Sequence, residues 1–218
     1  MTPVLFGPSY SVYVRIVKIV LAEKDIDYEQ VEFDVFDREN WPADWLSRHP
    51  FGLAPAFEHS GFRLYETRAI TRYIDEAFEG PPLQPGDAAG RARMEQAISV
   101  LDGQGYWPMV REIFVQRTEH SRAKTPDKGG SDEAVIASAL PKAARCLGAL
   151  SELLGSQEYF AGAFSLADAQ AAPMFHYFLK TPEGRELLHA QPRLGAWWSR
   201  VAARPSVQVA CAGPEAVK

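Results

Sequence analysis

The 218-residue chain is 46% hydrophobic and 23% charged, with a net charge of −5, which suits one or two globular domains. This composition excludes a collagen, a coiled coil and a mainly disordered chain, and it lacks the basic footprint of a nucleic-acid-binding protein. Cys146 and Cys211, with no CxxC spacing, argue against a disulfide scaffold, a zinc site and a dithiol redox centre.

In chain order, Val4-Leu5-Phe6 reads as a short strand closed by Gly7-Pro8, and Ser11–Glu23 as a helix. That helix is apolar on two faces, through Val12, Ile16, Ile19 and Val20 and through Val14, Val17 and Leu21. It is therefore expected to be covered on both sides, with a second domain as the cover. Tyr28–Phe33 alternates apolar and acidic residues as a strand with one wet face does, and Trp41–Ser47 is expected to be helical. Pro55–Glu58 and Phe62–Tyr65 are strands around a His59-Ser60-Gly61 turn, and Glu66–Phe78 is a helix ending at Gly80.

Gly80-Pro81-Pro82-Leu83-Gln84-Pro85-Gly86 can continue neither a helix nor a central strand. It divides a domain over residues 1–80 from one over 91–218, with 81–90 as linker. Charge divides there too: residues 1–80 carry 8 Lys and Arg against 14 Asp and Glu, and residues 81–218 carry 15 against 14.

Beyond the linker the strand signals stop. Ala88–Gln116 reads as a long helix weakened at Gly103, Gly105 and Pro108, and Asp132–Leu154 as another, with a loop at Thr125–Gly130 between them. Ser165-Leu-Ala-Asp168 has capping-box spacing before an Ala-rich, central helix, and Pro192–Ala203 closes the bundle with Trp197 and Trp198. The expected fold class is a mixed α/β N-terminal domain plus an all-α C-terminal helical domain.

Several segments, taken in order, resemble the cytosolic glutathione transferases, whose N-terminal domain is thioredoxin-like. They are Leu5-Phe6-Gly7, Ser11–Arg15, Leu21–Lys24, His49–Phe57 (similar to an NPFG-x-VP-x-L loop), Leu64–Ile70 (similar to L-x-ESRAI), Ser165–Asp168, Trp197-Trp198 and Ala203–Ser206. The resemblance spans nearly the whole chain and points to a bacterial, serine-type, theta- or phi-like member.

The chemistry to explain is thiol activation. A free thiol has a pKa of about 8.5, and lowering it by roughly two units takes about 2.7 kcal/mol of added thiolate stabilisation. A hydroxyl donating to sulfur supplies roughly 1.5–3 kcal/mol, and a helix N-terminus roughly 0.3–1 kcal/mol. Ser11 combines both and matches the family's activating serine, with plain helix capping as the bland alternative and Ser9 and Tyr10 as substitute donors. A serine rather than a cysteine implies conjugation at glutathione sulfur rather than mixed-disulfide reduction.

The resemblance further implies a cis peptide bond at Ala54–Pro55 for the cysteinyl part of glutathione, and Glu66 and Thr67 for its γ-glutamyl end. It implies Asn40, Trp41 and Leu53 for the glycyl carboxylate. No cation stands at those last three positions; Arg38 and Arg48 are the available substitutes.

Tyr13, Tyr106, Trp107, Val110 and Phe114 are the expected electrophile-binding residues, between the domains. Met109 and Ile113 stand on the same long helix as Tyr106, and Tyr13 and Phe175 are the weaker candidates. Asp102 is read as a solvated or interface acid. His49, His59, His120, His176 and His189 show no metal spacing, so no metal is expected, and both cysteines are expected to be inert.

The implied function is conjugation of the glutathione thiolate to small hydrophobic electrophiles by a cytoplasmic homodimer. No nucleic-acid or membrane partner is expected: the apolar runs fall short of the roughly 20 residues of a membrane span, and no signal-peptide pattern opens the chain. The alternative is a non-catalytic ligand-binding or interaction protein, or a glutathione-dependent isomerase or peroxidase, on the same scaffold.

Overall fold

A computed structural model describes residues 1–118 and 132–212. The expected Thr125–Gly130 loop and His120 lie outside the described residues. The chain forms two compact units, one comprising residues 1–83 and the chain from Arg204 onward, the other Gln84–Ala203.

In the first unit, β1 (Val4–Phe6) is followed by α1 (Val12–Glu23) and β2 (Glu29–Val31). A 3₁₀ turn (Arg38–Asn40) and α2 (Trp45–Arg48) lead to β3 (Ala56–His59), β4 (Phe62–Tyr65) and α3 (Thr67–Ala77). The sheet order is β2-β1-β3-β4. β1 pairs parallel with β2, setting Phe6 opposite Val31, and antiparallel with β3, setting Phe6 opposite Ala56. β4 returns along β3 with Tyr65 opposite Ala56. Ser60 and Gly61 both have positive φ, at 52° and 80°, as a two-residue hairpin turn requires.

The segment expected as a helix over Trp41–Ser47 is helical only from Trp45, in the four-residue α2, and the 3₁₀ turn lies before it at Arg38–Asn40. Pro42 lies between them, where it cannot donate to a continuing helix. α1 is buried along most of its length, as its two apolar faces imply. Within its unit it packs on α3 and on α9 (Pro205–Cys211), a segment the sequence assigns to the helical domain. Arg204 donates to the Glu23 carboxylate from Nε (2.8 Å) and Nη2 (2.6 Å), and Ser206 adds a third bond, holding α9 at the end of α1. The break between units, at Leu83–Gln84, falls inside the expected linker.

The second unit opens with α4 (Ala88–Val100), which continues as a π-helical segment, Leu101–Val115. The wider register begins just before Gly103 and contains Pro108, whose missing N–H interrupts an i→i−4 ladder. α5 (Glu133–Leu154), α6 (Leu166–Phe178), α7 (Pro182–His189) and α8 (Pro192–Ala202) complete the unit. α6 is its core: every residue except His176 is buried. Its capping box closes through Asp168, whose carboxylate accepts from Ser165 N–H (2.9 Å) and Ser165 Oγ (2.8 Å). The Ser165 hydroxyl thus donates to the carboxylate. No described helix is long and apolar enough to cross a membrane.

Candidate active site

The β1–α1 loop and the β3 entry loop touch at a glycine. Gly7 has φ +136°, and a Cβ there would lie 2.7 Å from Val14 and 2.8 Å from the Ala54 Cβ, so only glycine allows this approach. The start of α1 is thereby set beside Ala54–Pro55, whose peptide bond is cis, as the sequence resemblance implies. Arg15, fully buried on α1, donates from Nε to the Ser9 carbonyl at 2.9 Å and fixes the same loop.

Three hydroxyls lie here, and among the described residues one of them, Ser11, has no acceptor for its proton. Ser9 gives its backbone N–H and its Oγ to the two oxygens of Glu32, each at 2.7 Å. Tyr10 donates its hydroxyl to Asp34 at 2.7 Å, and burial and that carboxylate hold its proton far above the ordinary phenol range. Ser11 caps α1, where its half-buried Oγ accepts the Val14 N–H at 3.4 Å. That bond uses an oxygen lone pair and leaves the hydroxyl proton to give away.

Glu66 ends β4 and begins α3 with φ 72° and ψ 113°. This conformation costs a non-glycine residue of order 1–3 kcal/mol and gathers at functional sites. Glu66 is exposed and makes no side-chain cap bond, so its carboxylate is not occupied in closing the helix. Thr67, buried, is the first residue of α3, where backbone N–H groups lack intrahelical partners. The corner thus pairs a free carboxylate with a helix N-terminus, charges complementary to those of an α-amino-acid head.

At the other end of the loop, two expected donors are engaged elsewhere. Asn40 donates to Asp37 at 2.7 Å and the Trp41 indole N–H to the Val35 carbonyl at 3.2 Å. Leu53 is 59% exposed. Arg48 is held by Asp44 (Nε at 2.9 Å, Nη2 at 2.8 Å) and by Glu58, with its guanidinium 4.4 Å from the Phe6 ring centre. This excludes Arg48 as the substitute cation. Arg38 instead lies over the Trp41 ring at 5.6 Å. Beside this corner, His49 is buried against Tyr65 (5.2 Å between ring centres), and burial lowers its pKa. Its Nδ1 has no partner among the described residues.

The expected electrophile residues divide. Phe114 and Val110 are buried, and the Phe114 ring lies 4.5 Å from Tyr177 in the helical core. Met109 and Ile113 are fully buried, and Phe175 is buried against Trp197. Helical spacing of apolar residues marked the core there. Trp107 is 61% exposed and meets Tyr106 edge-on at 6.2 Å; Tyr106 and Tyr13 are half-buried. Asp102 is not a solvated acid: it is half-buried and accepts from Gln170 at 2.6 Å.

Both cysteines are buried, and burial pushes the Cys146 thiol up to about 12. Among the described residues no three His, Cys, Asp or Glu side chains group as metal ligands do.

Glu32 and Asp34 are the neighbours that sequence reasoning missed. The parallel β1–β2 register, with Phe6 opposite Val31, is the signal that would bring Glu32 and Asp34 to Ser9 and Tyr10.

The family model "Glutathione S-transferase, N-terminal domain" matches residues 2–76, and "Glutathione S-transferase, C-terminal domain" matches 106–205. Glutathione S-transferase F7 of Arabidopsis thaliana is 31% identical over 94% of this chain and 96% of its own. A probable glutathione S-transferase GSTF1 of Oryza sativa is 32% identical over 95% of each. The maize glutathione S-transferase I structure, in complex with an atrazine glutathione conjugate, aligns with TM-score 0.84 and 29% identity, covering 97% of each chain. Glutathione transferase F7 from Populus trichocarpa aligns with TM-score 0.83 and 28% identity, covering 97% of this chain and 98% of its own. Thioredoxin-like unit, helical unit and both domain matches agree: the chain belongs to the glutathione S-transferase family and is a glutathione transferase.

Proposed function

We propose that the enzyme is a serine-type, phi-like transferase that joins the glutathione thiolate to small hydrophobic electrophiles, with Ser11 donating its hydroxyl proton to the sulfur. The observation that carries this reading is elimination within the loop: Ser9 and Tyr10 are bound to Glu32 and Asp34, and Ser11 alone of the three keeps its donor. Its place at the N-cap of α1 adds the positive helix end to the hydrogen bond.

In this reading the γ-glutamyl head sits at Glu66 and Thr67. The backbone beside Ala54–Pro55 pairs with the cysteinyl unit, bringing the sulfur to Ser11. Tyr13 on α1 supplies aromatic surface for the electrophile. A glutathione conjugate in the maize relative supports the same substrate pairing here. Glutathione-dependent turnover of aryl halides and isothiocyanates tests this. No turnover of any, with no glutathione binding by calorimetry, would reject it.

We further propose a cytoplasmic homodimer. Phe51 is 69% exposed and meets Tyr65 edge-on at 6.2 Å, an exposed aromatic patch of the kind that marks an interface. Phe51→Asp is expected to convert a dimer into a monomer in light scattering. An unchanged mass would move the interface elsewhere.

A further inference from the structure

The loop that carries Ser11 is clamped from outside. Ser9 is held at three points. Its backbone N–H and its Oγ donate to the two oxygens of Glu32, each at 2.7 Å. Its carbonyl accepts from Nε of the fully buried Arg15 at 2.9 Å. Gln30 on β2 completes the clamp: its Nε2 lies 3.0 Å from the Gly7 carbonyl, 3.0 Å from Ser9 Oγ and 2.7 Å from the second Glu32 oxygen. The parallel register sets Leu5 opposite Gln30 and Phe6 opposite Val31, so that Glu32 follows beside the β1–α1 loop.

Glu32 is the hub, since one carboxylate takes donors from the Ser9 backbone, the Ser9 hydroxyl and the Gln30 amide. Such charge-assisted bonds are roughly twice as strong as neutral ones. The hold passes to Ser11 through the backbone. Ser11 N–H donates to the Pro8 carbonyl at 2.9 Å, so the placement of residues 8 and 9 sets that of the α1 N-cap. Aim matters there, because a hydrogen bond weakens steeply once its angle falls below about 120°.

As a bare charge Glu32 would act the other way, since a carboxylate near a thiolate disfavours ionisation. Glu32 is exposed, so water and salt screen its charge, whereas its hydrogen bonds bear directly on the loop. The two roles therefore predict shifts of opposite sign when the carboxylate is removed.

We propose that Glu32 is a positioning residue for the reaction: by holding Ser9 through both its N–H and its hydroxyl, it keeps the Ser11 hydroxyl aimed at the glutathione sulfur. This inference rests on the Ser11 reading above.

Steady-state kinetics and thiolate titration of the full chain, in a cycle combining Glu32→Ala with Ser11→Ala, test this. Glu32→Ala alone should lower kcat at pH 6.5 about tenfold and raise the midpoint of bound glutathione by about one pH unit, which is the same free energy. KM for glutathione should stay within about twofold, as for loss of an interaction made only in the transition state. In the Ser11→Ala background the same substitution should change the rate by less than about twofold, because residues that act as a unit are not additive. Glu32→Gln keeps an acceptor for the Ser9 N–H and should retain part of the turnover. Equal losses in both backgrounds, an unchanged rate in Glu32→Ala, or a midpoint that stays or falls when the carboxylate is removed would overturn the inference alone. Wild-type turnover in Ser11→Ala would overturn the Ser11 reading together with it.

Discussion

Ser11→Ala is expected to lower turnover at pH 6.5 by about 10–100-fold, the equivalent of the roughly 1.5–3 kcal/mol that a hydrogen bond to a charged group supplies. Glutathione affinity should stay within a few-fold, because the head contacts at Glu66 and Thr67 are untouched. The sign of the pH dependence follows from the thiol. Ser11 favours the thiolate and lowers the pKa of bound glutathione, so the deficit is largest below the free thiol's pKa of about 8.5 and shrinks above it. The substitution also removes the cap of α1, worth about 1 kcal/mol of stability, so a small loss of thermal stability accompanies it. Ser11→Thr keeps a hydroxyl at the cap and should restore most of the turnover. Steady-state kinetics across pH 6–9 would check this, and an unchanged rate for the alanine variant would place the donor elsewhere.

Asp168→Ala should produce a large stability loss in the helical unit. The Asp168 carboxylate is fully buried and receives four donors: Ser165 N–H, Ser165 Oγ, Phe160 N–H at 3.2 Å and the Trp197 indole at 2.8 Å. Burial pushes its pKa up, and the four donors oppose that. One side chain therefore ties together the start of α6, the preceding loop and α8. Removing it strands buried donors as well as leaving a cavity, a loss of about 3–5 kcal/mol. For a chain of this size that corresponds to a fall in Tm of roughly 6–20 °C. Asp168→Asn keeps the shape and two acceptor lone pairs and should cost less. Thermal and urea unfolding measure both; a loss under about 1 kcal/mol for the alanine variant, the range of an ordinary substitution, would contradict this account of the helical unit.

Much of the fold and part of the site were legible in the chain itself. Val4–Phe6 before Gly7-Pro8 and the apolar run from Val12 marked β1 and α1, leaving Ser11 as the natural cap. Ala54–Pro55 and Glu66-Thr67 stood out through their order and spacing. Less legible were features that depend on side chains from distant segments. The separation of Ser11 from Ser9 and Tyr10 rests on Glu32 and Asp34, over 20 residues away, and becomes visible only once β1 and β2 are paired.

The different surroundings of Arg38 and Arg48 were hidden because residues 38–48 have no clean period. Pro42 separates the 3₁₀ turn at Arg38–Asn40 from a short α2 at Trp45–Arg48, and the two arginines fall in different surroundings. α9 was missed because the sequence reading closes the bundle at Ala203, although proline, here Pro205, is well suited to the first turn of a helix. Val110 and Phe114 illustrate the remaining ambiguity. Apolar residues at helical spacing look the same whether they fill a core or line a ligand site, and only their burial distinguishes the two.

The central claim is that the protein ionises a thiol it does not itself carry, through Ser11. Titration of enzyme-bound glutathione by its ultraviolet thiolate absorbance tests it most directly. The account predicts a midpoint roughly two pH units below that of the free thiol, at about 6.5, and a return upward by about one to two units in Ser11→Ala. A bound thiol titrating at the same pH in wild type and Ser11→Ala would contradict it.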